Sequence, residues 1–326
     1  MSWQPTATLA TLKKRAEIIQ HIRDFFAARY ILEVDTPLLT SATVTDPHVT
    51  GIPALFKENG GNSTQQMYLQ TSPEYAMKRL LAAGSGPIYQ MCKAFRQGDL
   101  GTFHLPEFLM LEWYRPGFDH QQLMNEVDEL LQLILKTPTA ERISYAAAFE
   151  KYAGINPHLA TVSELEACAK HHAIHFVTSE PSSQDKNNWL ELLLTHVVEP
   201  QIGQLCPVLL FDFPITQAAL AKIRMEEQPP VASRFEVYFK GIELANGFHE
   251  LQNSADQRQR FENDLKYRKK NNLPDVAIDE KFLAALDAGL PDCSGVALGV
   301  DRLVMLALGC QTLAGAVSFS FDRLKK

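Results

Sequence analysis

Long apolar runs are missing from this chain. No stretch approaches the ~20 consecutive apolar residues that a helix needs to cross a bilayer. The start, Met1-Ser2-Trp3-Gln4-Pro5, has neither the basic residues nor the apolar core of a secretory signal. Neither a membrane-spanning helix nor a cleaved leader is expected. Paired cysteines are missing too. The five present, Cys92, Cys168, Cys206, Cys293 and Cys310, are odd in number and form no Cys-x-x-Cys, which excludes the common zinc and dithiol motifs. Scattered thiols fit a reducing cytoplasm, and most are expected to pack in the core as small apolar residues. Basic charge is not in excess. The 31 Lys+Arg stand against 38 Asp+Glu, a formal net charge of −7. A protein that coats nucleic acid through a basic field is therefore excluded, although a local basic patch is not. Gly-x-Gly-x-x-Gly after a strand, Gly-x-x-x-x-Gly-Lys-Ser/Thr, His-Glu-x-x-His and Gly-x-Ser-x-Gly are all absent. Their absence removes Rossmann and P-loop nucleotide binding, zincin hydrolysis and the serine-hydrolase elbow.

What is present is an ordinary globular composition, 326 residues with 46% apolar and 21% charged, long enough for one large domain or two medium ones. Leu12, Ala16, Ile19, Ile22 and Phe26 recur at helical spacing and predict a helix over Leu9 to Arg29. An extended segment, Tyr30 to Thr36, then runs into Pro37. Gly60-Gly61-Asn62-Ser63 predicts a loop. Ser72 is a candidate cap for a helix with Pro73 at its first position. Strands are predicted at Ile88 to Arg96 and Phe108 to Arg115, joined by a polar loop from Gln97 to Glu107. Helices follow at Leu123 to Leu135, Val162 to Lys170 and Trp189 to Val198, with a linker around Ser182-Ser183-Gln184-Asp185. Residues 119–205 read as a mostly helical insertion without a chemical motif. Strands return at Pro207 to Phe213 and Arg234 to Leu251, a charged helix covers Ala255 to Asn271, and Gly295 to Leu308 reads as one apolar helical run. Strands that succeed one another without a βαβ series predict an α+β fold, a mainly antiparallel sheet flanked by helices.

Three clusters carry chemistry. Residues two apart on a strand share a face, so Arg96 can face Phe108 and Glu112 or Tyr114 across the hairpin, with His104 in the loop above. A guanidinium clamps phosphate and an aromatic ring stacks on a base; the plain alternative is an Arg–Glu cross-strand pair. Arg302 has Leu298, Met305 and Leu306 on its own helical face, and the neighbouring Asp301 points elsewhere. A guanidinium in that setting calls for an anion, or for a distant carboxylate. In Lys240 to Glu250, alternation lines up Asn246, Phe248 and Glu250, an amide, a ring and a carboxylate that suit an ammonium group. Glu243 has the opposite parity. A bulge at Gly241 or Gly247 would rotate it in; without one it stays on the other face.

In this order the segments resemble the signature of class II aminoacyl-tRNA synthetases. The helix and strand ending at Pro37 are similar to motif 1, the dimer-forming element. Phe95-Arg96 through Pro106-Glu107-Phe108 is similar to motif 2, and Gly299-Val300-Asp301-Arg302 to motif 3. Glu243 to Glu250 and His104 to Phe108 resemble the lysyl-tRNA synthetase core. Thr71 to Tyr75, Met110 to Pro116 and Cys293 to Leu303 resemble its truncated paralogues, the elongation factor P–(R)-β-lysine ligases. The resemblance covers nearly the whole chain as a single catalytic domain, 1–326, and leaves no segment for an anticodon-binding domain.

That resemblance implies an ATP-dependent, AMP-forming ligase. It would activate (R)-β-lysine as an adenylate and pass it to a lysine of elongation factor P, as a cytoplasmic homodimer without tRNA anticodon contact. The alternative is a lysyl-tRNA synthetase-like enzyme acting on tRNA or a free amine. It implies that Arg96 holds the α-phosphate, Phe108 stacks on adenine and Arg302 holds the γ-phosphate. Gln97, Gly98, His104, Leu244 and Gly299 join them at ATP, and Glu243 takes Mg²⁺. Ser72, Glu74, Tyr114, Asn246, Phe248 and Glu250 would bind the diamino acid. Ala297 stands where lysyl-tRNA synthetases carry glycine, and its methyl would favour an amine moved to the β-carbon. Motif 2 departs from its usual Phe-Arg-x-Glu: Gly98 replaces the acid, and Asp99 follows. The basic run Lys266, Arg268, Lys269, Lys270 is either a docking patch for an acidic partner such as elongation factor P or a solvated helix face.

Overall fold

A computed structural model of the chain describes residues 3–59, 63–174 and 185–324. Gly60-Gly61-Asn62 of the predicted loop and Ser182-Ser183-Gln184 of the predicted linker lie outside the described residues. The chain forms two compact units, Met1–Phe118 with Gln252–Lys326, and Asp119–Leu251. The segment read as a helical insertion falls in the second unit, which continues to Leu251 and includes strands.

The first unit opens with α1 (Leu9–Ala27), capped by the Thr8 side chain, which accepts from Thr11 N. It continues through β1 (Leu32–Glu33), β2 (Leu39–Thr40), β3 (Ile52–Lys57), β4 (Thr64–Leu69), α2 (Glu74–Ala82), β5 (Ile88–Phe95) and β6 (Glu107–Pro116). The second unit holds α3 (His120–Leu135), β7 (Glu141–Ser144), α4 (Tyr145–Tyr152), α5 (Val162–His171), α6 (Lys186–Leu193), β8 (Val208–Pro214), β9 (Ile223–Arg224), β10 (Val231–Phe239) and β11 (Ile242–His249). The chain then returns to the first unit with α7 (Ser254–Lys270), α8 (Glu280–Gly289), β12 (Cys293–Gly299) and α9 (Val300–Ala307).

In the first unit the strand order is β1-β5-β6-β12, with β2-β4-β3 as a separate antiparallel sheet. β6 pairs antiparallel with both β5 and β12. Alternation gives that sheet two chemically different faces. Tyr89 and Trp113 are directly paired on the back. Phe26 of α1 stacks on Tyr89 at 4.4 Å and meets Trp113 edge-on at 5.3 Å. This apolar seal consumes the back face and leaves the front, with Gln90, Glu112 and Ala297, for polar work. In the second unit the order is β11-β10-β8-β7, with β9 beside β10. Tyr145, Phe149, Trp189, Leu190 and Phe213 lie in its core.

The α+β expectation holds: antiparallel pairing dominates and helices flank the strands. Several boundaries need correction. Pairing is not wholly sequential, because β1 runs parallel to β5 and β7 parallel to β8. Tyr30 turns at φ 56°, which shortens the predicted extended segment to Leu32–Glu33. Pro73 holds the cap position and the helix starts at Glu74, although Ser72 Oγ still accepts from Glu74 N at 3.1 Å. The stretch 234–251 is two strands joined by a hairpin turn at Lys240-Gly241, both residues at positive φ (52° and 71°), as a two-residue type I′ connection requires. The helix over Trp189 to Val198 is α-helical only to Leu193 and then widens to a π-type turn. Gly295 to Leu308 is the clearest misreading. It is β12 followed by α9, so Leu298 is a strand residue and not a helical neighbour of Arg302. Periodicity cannot separate strand from helix in a continuous apolar run. Of the cysteines only Cys293 is buried; the other four are half-buried. Cys168 donates to the Ala153 carbonyl and Cys92 accepts from the Gln70 amide, so the thiols serve as weak polar groups at the margins of the core.

Candidate active site

The front face of the first unit is ordered in rows by its register. Ala94 pairs with Phe108; Cys92, Met110 and Gly299 form the next row; then come Gln90, Glu112 and Ala297, and Ile88, Tyr114 and Gly295. Arg96 follows Ala94 on the same face, its N–H held by the Pro106 carbonyl at 2.9 Å. The sheet thus offers an anion-binding end and an acidic end.

At the anion end the Arg96 guanidinium carbon lies 5.2 Å from the centre of the Phe108 ring, in cation–π reach. Its Nε is buried and has no hydrogen-bond partner among the described residues. Arg302, in the first turn of α9, donates from Nε to the Phe103 carbonyl at 3.0 Å and pairs through its terminal nitrogen with His104 Nε2 at 2.7 Å. Burial first, then the charges of Arg302 and Arg96, holds His104 below its usual pKa, while Asp99 pulls the other way. A neutral imidazole is then available to accept from Arg302. Asp301 turns away, as expected. It takes Arg15 at 2.6 Å and the Leu109 N–H at 2.8 Å, which ties α9 to α1 and β6. Gly98 has φ 89°, a left-handed conformation that a glutamate would adopt only under strain. The loop's acid is Asp99, within electrostatic reach of His104.

At the acidic end Glu112 is almost wholly buried, 2% exposed. Ser72 donates to its Oε2 at 2.7 Å and Tyr114 to its Oε1 at 2.6 Å. Burial, helped by the negative charge of Glu74, pushes the Glu112 carboxyl up to about 7 against the softening effect of those two donors. Glu74 itself is paired with the buried Lys78 one helical turn on. Ala297 pairs directly with Glu112 across the strands.

In the second unit, β10 and β11 settle the parity of Glu243. Arg234 pairs with Phe248 and Glu236 with Asn246, but after Val237–Ala245 the register slips, and Tyr238 pairs with Glu243. The extra residue is Leu244. The bulge lies at neither Gly241 nor Gly247, yet it has the required effect, because Glu243 joins the face of Asn246 and Phe248. Glu250, 1% exposed, continues that alternation and bridges Ala221. Asn246 does not present an open amide: its oxygen accepts from Arg234 Nε at 3.3 Å. Phe248 packs partly against the core of its unit. Arg234 also pairs with Glu236, which accepts from Tyr238. Burial and the carboxylates of Glu236, Glu191 and Glu243 push Glu199 up to about 7.

The predicted residues divide between the units: Ser72, Glu74, Arg96, His104, Phe108, Tyr114, Ala297, Gly299 and Arg302 lie in one, Glu243, Asn246, Phe248 and Glu250 in the other. Gln97 is exposed in the loop and donates its backbone N–H to Thr50. Sequence reasoning did not assign Glu112 to the diamino-acid site, nor did it single out Lys78, Gln90, Arg234 or Glu236. For Glu112 the signal was available, since it shares the parity of Phe108 and Tyr114. An orphaned buried arginine nitrogen, a second guanidinium and an exposed side of a ring fit a nucleoside polyphosphate. The Glu243 carboxylate on β11 suits Mg²⁺, which keeps water and phosphate oxygens as its other ligands.

The basic run on α7 divides. Lys266, Lys269 and Lys270 are exposed, but Arg268 is 2% exposed and bonds the carbonyls of Pro274 and Asp46. It is a structural clamp and not part of a docking patch. No helix among the described residues is long and apolar enough to cross a membrane. The family model for class II tRNA synthetases (D, K and N) matches residues 2–323. With that match over nearly the whole length, the chain belongs to the class II tRNA synthetases of the D, K and N group, ATP-dependent ligases that activate an amino acid.

Proposed function

We propose that the protein activates (R)-β-lysine with ATP and Mg²⁺ and transfers it to a lysine side chain of elongation factor P. The observation that carries this reading is the front face of the first unit. It places two guanidinium groups and a ring at one end, and at the other a buried carboxyl beside the Ala297 methyl. The substrate carboxylate attacks the α-phosphorus in line. A carboxyl–phosphate bond forms, the bridging bond to the β-phosphate breaks, and pyrophosphate leaves with the electron pair. Arg96 stabilises the charge that develops on the α-phosphoryl oxygens. Arg302, steadied by His104, holds the γ-phosphate, and Phe108 stacks on the adenine. Glu243 would hold magnesium, which would supply charge neutralisation to phosphate oxygens, and Glu250 would take an ammonium of the diamino acid. The neutral amine of the acceptor lysine then attacks the acyl carbon; an amide forms, AMP departs, and the surplus proton goes to solvent. Catalysis is positioning and electrostatics, with no covalent enzyme intermediate.

The Ala297 methyl sits directly opposite Glu112 and crowds the α-amino position, leaving more room for an amine on the β-carbon. One methyl is worth about 1–3 kcal/mol of discrimination. Ala297→Gly is therefore expected to raise α-lysine-dependent pyrophosphate exchange about tenfold relative to (R)-β-lysine. The proposal as a whole is tested by mass spectrometry of elongation factor P after incubation with ATP and each diamino acid. A mass increase of one β-lysyl group supports it. Charging of tRNA with the acceptor protein untouched overturns it.

The exposed Lys266, Lys269 and Lys270 would meet the acidic partner. Changing all three to Glu is expected to slow modification of elongation factor P while leaving pyrophosphate exchange intact, the split that separates docking from chemistry. Equal rates in both assays would remove the docking role.

A further inference from the structure

Gln90 lies at the centre of β5, 1% exposed, with both the oxygen and the nitrogen of its carboxamide buried and without a hydrogen-bond partner among the described residues. The amide N–H reaches towards the Cys92 sulfur, whose thiolate it favours, but sulfur is a weak acceptor, and the carboxamide oxygen has nothing. Leaving two buried polar atoms unmatched is destabilising, and a methionine or leucine would fill the same space without that cost. The position is therefore spending stability on something the protein alone does not show.

The register says what that is near. Gln90 pairs directly with Glu112, and Glu112 with Ala297, so the three side chains stand in one row on the front face, each about 5 Å from the next at Cβ. Glu112 has both oxygens engaged by Ser72 and Tyr114. Glu74 is engaged by Lys78. The carboxamide oxygen of Gln90 is the acceptor in this row that is still unused. An ammonium brought to Glu112 has three N–H bonds to place in a dry pocket and needs neutral acceptors beside the carboxylate.

We propose that Gln90 is a specificity-determining residue of the amino-acid pocket, its carboxamide oxygen accepting from the substrate ammonium that Glu112 faces. This deepens the reading of a diamino-acid ligase and rests on it. A substrate whose amine is not carried where the Ala297 methyl leaves room, on the β-carbon, leaves the amide as unmatched as it is without ligand, so Gln90 disfavours such amino acids as well as welcoming the β-amine.

The test is steady-state pyrophosphate exchange, with thermal melts of the ligand-free protein, on Gln90→Met, which keeps the shape without hydrogen bonds, and Gln90→Glu, which keeps an acceptor. Gln90→Ala gives the same information as Met should the thioether not fit. Expected for Met (or Ala) is a KM for the diamino acid at least tenfold higher, with the KM for ATP within twofold and, for Met, a Tm equal to or above that of the parent. Glu is expected to restore the diamino-acid KM to within about threefold. A diamino-acid KM unchanged in Met or Ala overturns the proposal and assigns the amide to an ordered water. A parallel fall in Tm, kcat and both KM values overturns it in favour of a packing role. Parent enzyme that exchanges with no diamino acid fails the functional reading itself, before any variant is compared.

Discussion

Arg96→Ala is expected to lower the rate of adenylate formation by roughly 10²–10³-fold, the size of loss seen when one charge-stabilising donor is taken from a transition state, with little change in the KM for the amino acid. The argument is local. Arg96 follows the last residue of β5, its backbone fixed by Pro106 and that of Gln97 by Thr50, and its ring neighbour Phe108 limits where the guanidinium can swing. A buried Nε without a protein partner is a donor already desolvated and waiting for charge. Arg96→Lys is expected to recover little, because an ammonium lacks the planar fork that meets two phosphate oxygens. Arg302→Ala acts at the other end of the nucleotide and is expected to raise the KM for ATP more than it lowers kcat. The two variants share a second readout. Both arginines depress His104, Arg302 the more strongly of the two, so the imidazole should titrate higher in each variant, most in Arg302→Ala, as followed by NMR of the ring protons. Burial still lowers it, so a full return to the usual value is not expected.

The parts of this fold that were legible in the sequence are those where a periodic pattern and a stop signal coincide. α1 and the β5–β6 hairpin were read almost to the residue, because helical spacing ended at Tyr30 in one and a polar loop separated two apolar runs in the other. β12 and α9 were not, since apart from Ser294, Asp301 and Arg302 the stretch Cys293 to Ala307 is continuously apolar or glycine and carries no signal of its period. Sequence could place Arg96, Phe108 and Tyr114 on one face because their parity is local. It could not place Glu243, because that depends on a one-residue slip at Leu244 opposite Val237 and Tyr238, and bulges have no reliable single-residue signature when both flanking glycines are equally suggestive. Burial was the other blind spot. Arg268 sits in a run of basic residues and reads as solvated, yet Asp46 and Pro274, distant or looped out in sequence, supply the carbonyls that hold it. Glu112 reads in the sequence as a cross-strand partner for Arg96, and its burial shows only where Ser72 and Tyr114 close over it.

That closure makes Glu112→Gln the second large effect, visible in both stability and activity. In the folded protein the carboxyl is pushed up from 4.5 to about 7, so between those values the native state keeps a proton that the unfolded chain has released. Stability from this group is complete below about pH 4.5 and is lost as pH rises through 7, a cost on the order of 3 kcal/mol for a wholly buried acid. The parent protein should therefore lose thermal stability from pH 5 to pH 8, and Glu112→Gln, which has no proton to lose, should lose less and melt higher than the parent at pH 8. Substrate binding runs in the opposite sense. The ionised form of Glu112 is the one that attracts an ammonium, so the KM for the diamino acid should fall as pH rises from 6 to 8 in the parent. In Glu112→Gln that slope should vanish and the KM should stand about 10–100-fold higher, the worth of a hydrogen bond to a charged partner. Glu74 adds to the upward push, so Glu74→Gln should move the midpoint of the KM profile to lower pH while leaving the slope in place. A parent KM that does not change across this range would mean that Glu112 keeps one charge state throughout, and that its desolvation, not its charge, is what the pocket uses.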